Sequence, residues 1–102
     1  MKHRIPDQLL FSLRNHIPIE ELIAKVLLLP CKESEGYWRF LCPICQEFRT
    51  AANKRTNLAR CFLCQKNFNP IDIVMLVKNC NFLEAVDFLK LVLAEYTLCK
   101  SS

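Results

Sequence analysis

The stretch "LCPICQEFRTAANKRTNLARCFLCQ", residues 41–65, holds two Cys-x-x-Cys pairs, Cys42 with Cys45 and Cys61 with Cys64, separated by fifteen residues. A two-residue gap lets both thiolates of one turn point at a single ion. A hairpin between the pairs brings the second turn opposite the first. Zinc has no directional d-electron preference, so four sulfurs at about 2.3 Å in a tetrahedron satisfy it. The spacing therefore predicts one structural zinc ion held by Cys42, Cys45, Cys61 and Cys64. A redox dithiol needs a single pair in a βαβ context. Iron–sulfur clusters also use four thiolates but with other spacings. Cys31, Cys80 and Cys99 fit no pair and are read as buried or idle thiols.

Outward from the pairs, "YWRFL" at 37–41 is aromatic and strand-like, and "FRTAA" and "TNLARCF" flank the polar run "NKR" as a hairpin would. "PCKESEG" at 30–36 reads as a turn holding the single glycine, Gly36, and an antiparallel sheet is expected over about 26–63. Two helices precede the sheet. One runs over about 6–15 from Pro6, with Leu9, Leu10 and Leu13 at helical spacing. The other opens at Pro18 with a stripe of Ile19, Leu22, Ile23 and Val26. Two helices come after the sheet, one from Pro70 and Asp72, the other with Leu83, Val86, Leu89 and Leu93 on its stripe. The expected fold class is α+β in one domain over 1–102: helices about 6–28, a zinc-ribbon sheet about 29–69, and helices about 70–98.

The net charge of +4 is not spread evenly. Residues 32–66 carry seven basic against three acidic residues, and the rest of the chain balances. Clustered positive charge suggests a surface facing a polyanion, although a four-thiolate zinc site also attracts compensating cations. Seven cysteines, no export signal and tight Cys-x-x-Cys pairs point to a reducing, cytoplasmic setting. The longest apolar stretch, "VLLLP" at 26–30, is far too short for a bilayer. No phosphate-cradling glycine loop, nucleophile elbow or carboxylate cluster is present, so no enzyme activity is expected.

Taken together, "RIPDQLLFSLRNHIPIEELI", "LCPIC", "CFLC" and "NPIDIVMLVKNCNFLEAVDFLK" resemble the amino-terminal zinc-binding domain of bacterial replicative primases, the Cys-His-Cys-Cys zinc-finger family. The likeness covers about residues 4–92. It implies a zinc ribbon flanked by helices whose exposed face helps recognise single-stranded template DNA. It departs from the family pattern at Cys45, where histidine is usual, and at Leu63 and Gln65, where glycines are usual. A left-handed Gln65 would cost roughly 1 kcal/mol. The family's catalytic domain has no counterpart in this sequence, so any polymerising role is expected to be an assisting one.

Two functions compete. The first is single-stranded DNA binding by Trp38, Arg39, Arg49, Lys54, Arg55 and Arg60, with aromatic rings stacking bases and cations following phosphates. Alternation divides the strand, Trp38 and Phe40 on one face and Tyr37, Arg39 and Leu41 on the other. The second is a protein-interaction module docking onto a replication or mobile-element protein. Self-association is a further expectation, through the last helix, where Leu91 and Val92 lie off the main stripe. A duplex-reading regulator is disfavoured because the helices after Pro70 hold few cations.

Overall fold

The computed structural model describes residues 5–34 and 36–101. Among them, helices lie before and after a five-stranded antiparallel sheet, an α+β arrangement. The chain starts with α1 (Asp7–Asn15), where Pro6 sits at the cap and its carbonyl accepts from the N–H groups of Leu9 and Leu10, both at 3.1 Å. Pro18 caps α2 (Ile19–Glu21) in the same extended conformation. A π-helical turn, Leu22–Val26, then continues the helix, with the Leu27 N–H donating to the Leu22 carbonyl at 2.8 Å. The extra residue in this wider turn rotates its last side chains away from the stripe. Val26, expected on that stripe, is therefore 40% exposed, whereas Ile19, Leu22 and Ile23 are buried.

The sheet is a meander of β1 (Cys31–Ser34), β2 (Tyr37–Leu41), β3 (Phe48–Asn53), β4 (Leu58–Cys61) and β5 (Lys66–Phe68), neighbours in that order. It starts later and ends later than the expected 26–63. "CKES" was expected to be turn, yet it pairs with β2, Ser34 opposite Tyr37, so the chain reverses between those two residues. Gly36 supplies the left-handed φ of +82° that this reversal needs. β1 shows no apolar alternation because Cys31, Lys32 and Glu33 are all exposed on an edge strand. At the far side, β5 pairs Ala59 with Phe68 and Cys61 with Lys66.

One sheet face lies against the helices. Phe40, Ala59 and Phe68 meet Leu13, Ile17, Ile19, Leu22 and Ile23 from one side of the sequence and Ile71, Ile73, Val74, Val86 and Leu89 from the other. The carboxy-terminal helices, α3 (Pro70–Lys78) and α4 (Phe82–Ser101), each open on a reciprocal side-chain cap. Asn69 exchanges hydrogen bonds with Asp72 at 2.8 and 3.2 Å, and Asn81 does so with Glu84 at 2.8 and 3.0 Å. Asn79 ends α3 in a left-handed cap at φ 52°.

The α4 stripe differs from its expected form. Leu83 is 47% exposed, and the buried line is Ala85, Val86 and Leu89. Val92, expected to lie off the stripe, packs half-buried against the core together with Phe88 and Leu93. Cys99 falls within α4 rather than beyond it. Its side chain, like His3, lies outside the described residues. No described helix is long and apolar enough to cross a membrane.

Candidate metal centre and the outer sheet face

Each cysteine pair begins at the end of a strand and turns back in the same way. In the first, the Gln46 N–H donates to the Cys42 carbonyl at 2.9 Å, with Gln46 at φ 62°. In the second, the Gln65 N–H donates to the Cys61 carbonyl at 2.8 Å, with Gln65 at φ 57°. Both glutamines thus adopt a left-handed conformation that glycine would take freely, each at roughly 1 kcal/mol. The tight turns aim backbone N–H groups at sulfur. Ile44 donates to Cys42 Sγ at 3.4 Å and Cys64 to Cys61 Sγ at 3.3 Å. Such bonds favour thiolate over thiol.

The β3–β4 hairpin and the β4–β5 return bring the pairs face to face. Cys42 Sγ lies 3.9 Å from Cys64 Sγ, Cys45 Sγ lies 3.6 Å from Cys61 Sγ, and all four sulfurs fall within 4.8 Å of one another. Tetrahedral bonds of about 2.3 Å place sulfurs roughly 3.8 Å apart, so the donor set and its spacing fit one structural zinc ion. Cys42 and Cys61 are buried, and Cys45 and Cys64 half-buried.

The thiols do not ionise alike in the absence of metal. Burial raises Cys64, and the sulfurs of Cys61, Cys45 and Cys42 add to it, pushing its pKa up to about 12. Burial likewise raises Cys45 above the ordinary thiol value. Burial also acts against Cys61, but the Cys64 N–H and the neighbouring thiols outweigh it and lower its pKa to about 7. Four negative sulfurs within contact distance require a cation. Cys31 is exposed and outside the cluster, and Cys80 bonds weakly to the Val74 carbonyl at 3.9 Å.

The sheet face turned away from the helices carries most of the expected nucleic-acid residues. Ala51 pairs with Arg60, and Arg60 with Asn67, whose side-chain oxygen accepts from Arg60 Nη1 at 3.4 Å. A groove of about 400 Å³ over this row is lined by Ala51, Lys54, Arg60, Phe62 and Asn67 among others. Beside it the Arg39 guanidinium lies 5.4 Å from the Tyr37 ring centre and 5.5 Å from that of Phe62. Arg49 is exposed on the same face.

Two of the expected residues, Trp38 and Arg55, stand apart from this group. Trp38 is exposed but shares the opposite face with Phe40, beyond the edge of the core. Phe40 itself is buried. Arg55 lines a separate cleft of about 400 Å³ with Glu20, Glu21 and Tyr96, and Lys54 borders both hollows.

Asn57 is the structural residue that the sequence reading missed. Its side-chain oxygen accepts from the Ile19 N–H at 2.9 Å, and its amide donates to the Arg14 and Ile17 carbonyls at 2.6 and 2.8 Å. At φ 55° it also closes the β3–β4 turn. The signal was an asparagine directly before an apolar strand, a residue that tolerates left-handed backbone and carries both donor and acceptor.

Comparison with known proteins agrees with this geometry. The model of the CHC2 zinc finger, a zinc ribbon of the DnaG type, matches residues 5–98. No curated protein matches the chain. With the match covering nearly the whole sequence and four cysteines gathered as metal ligands, the chain belongs to the CHC2 zinc-finger family of DnaG-type zinc ribbons.

Proposed function

We propose that this domain binds single-stranded DNA on the outer face of its sheet and serves a polymerising enzyme in priming or replication. One observation carries the reading. Tyr37, Arg39, Arg49, Arg60 and Phe62 share a solvent-facing surface beside a groove, and the helices leave that face uncovered. Exposed rings stack bases of any sequence, and flanking cations follow the backbone. The domain's contribution is binding, and the chemistry of polymerisation belongs to a separate catalytic site. Zinc holds the platform rigid and takes no part in a reaction.

Fluorescence anisotropy with labelled single strands tests this. A footprint of about three phosphates gives a log–log salt slope near −2, at roughly −0.7 per contact. Replacing Arg49, Lys54 and Arg60 together by alanine should flatten the slope and weaken binding with zinc content unchanged. Arg55→Ala should do less, because Glu20 and Glu21 share its cleft. Unchanged affinity in the triple variant would defeat the proposal.

A second reading, docking onto a replication protein or a second copy of the chain, has its own support. Leu91 is 69% exposed and Leu83 shares the open side of α4. Leu83→Glu with Leu91→Glu tests it by sedimentation and crosslinking. Val92 is unsuitable for that test because it packs on the core.

A further inference from the structure

The setting of Arg39 differs from that of the other cations on the outer face. Tyr37 precedes it by two residues on β2, and Phe62 opens the second cysteine turn beyond the end of β4. The guanidinium carbon lies close to both, 5.4 Å and 5.5 Å from the two ring centres. Aromatic rings attract its flat faces. With two rings beside it, the chemistry it keeps for a ligand is in-plane hydrogen bonding by the N–H groups at its edge. Those donors have no hydrogen-bond or ion-pair partner among the described residues. Arg60, by contrast, donates to Asn67, and Arg14 to the Leu10 carbonyl. Arg39 is also half-buried, whereas Arg49 and Lys54 are exposed.

A planar donor fork, held still by two rings and partly shielded from water, suits a planar pair of acceptors. Guanine offers one in O6 and N7, and among the four bases it alone presents two acceptors side by side on that edge. Phosphate also accepts a fork, but exposed Arg49 and Lys54 already supply the mobile charge that a backbone needs. We infer that Arg39 reads guanine, so that the outer face prefers a single strand carrying that base. Tyr37 and Phe62 hold the fork in place, and both rings are exposed to neighbouring bases. The inference rests on the single-strand reading above and adds a base preference to it.

The experiment compares three short labelled oligonucleotides: all thymidine, the same strand with one central guanosine, and that strand with the N7-deaza analogue of guanosine. The guanosine strand should bind about tenfold tighter than all-thymidine, within the range that a good bidentate pair provides. The deaza strand should lose most of that advantage, because one acceptor of the pair is gone. In Arg39→Lys, which keeps the charge and loses the fork, the guanosine-to-thymidine affinity ratio should fall close to one, with zinc content and melting temperature as controls for folding. A ratio that survives Arg39→Lys overturns the assignment and leaves Arg39 as a phosphate contact. Equal binding of guanosine and thymidine strands by the unaltered protein overturns the base preference alone. Failure to bind any of the three overturns the single-strand reading and this inference with it.

Discussion

The two faces of the sheet are built from the same strands and have opposite character. On the inner face Phe40, Thr50, Ala59, Cys61 and Phe68 are each at most 4% exposed. On the outer face the interleaved residues are Tyr37 and Arg49, both exposed, and Arg39 and Arg60, both half-buried. Successive side chains of a strand point to opposite sides, so adjacent residues can have unrelated jobs. Folding and binding are therefore separable by substitution, and the metal centre at the strand ends belongs to the folding side.

The largest effect should come from the metal. Cys45→Ser and Cys61→Ser should each lose zinc and the folded ribbon, since ligation supplies on the order of 10 kcal/mol in small zinc domains. Cys31→Ser should melt like the unaltered protein. Metal analysis and circular dichroism before and after chelation check all three. A Cys45→Ser protein that keeps native zinc affinity would break the assignment of Cys45 as a ligand.

Acid should act on the same centre. Cys64, at about 12, and Cys45, raised by burial above the ordinary thiol value, remain protonated near neutral pH without metal. Zinc must displace those protons, so affinity rises with pH and falls on acidification. Release of at least these two protons per ion changes affinity by about 100-fold or more per pH unit around neutral pH. Competition titrations against a chelator at several pH values measure the slope. A pH-independent affinity would contradict the protonated thiols.

Asn57 ties the far end of the sheet to the helices that cover the inner face. Asn57→Ala removes three hydrogen bonds and places alanine at φ 55°, an expected loss of about 3 kcal/mol in urea unfolding. Asn57→Gly should recover about 1 kcal/mol of that, because it relieves the backbone part alone.

Thr50 sharpens the comparison from the inner face itself. Its hydroxyl is fully buried with no hydrogen-bond partner among the described residues. Thr50→Val keeps the shape and removes the unmet group, and should raise stability by about 1 kcal/mol. A loss of stability would mean that the hydroxyl has a partner after all, and cross-strand Cys61 would be the first residue to test. The smallest stability change belongs to the outer face. Arg49→Ala should stay within about 0.5 kcal/mol of the unaltered melting behaviour, while single-strand binding weakens.

Sequence alone determined the metal centre, the helix–sheet–helix order and the family, for local reasons. A Cys-x-x-Cys turn carries its chemistry within four residues, and prolines mark helix starts through their own backbone. The left-handed Gln65 was likewise legible from the missing glycine. Only the tertiary structure decided where the sheet's edges lie, because β1 is exposed and β5 is short, and neither has an apolar alternation to read. It also decided which side of α4 is buried. Leu83 and Val92 exchange their expected environments because burial depends on where α1 and α3 touch that helix, not on the spacing of leucines. The same holds for the cations. Composition placed Arg39, Arg55 and Trp38 in one basic, aromatic segment. Folding sends Arg55 to a cleft with two glutamates and Trp38 to the opposite face, and sets Arg39 beside two rings from different parts of the chain. Charge and type are properties of a residue, whereas partners are properties of the packed chain.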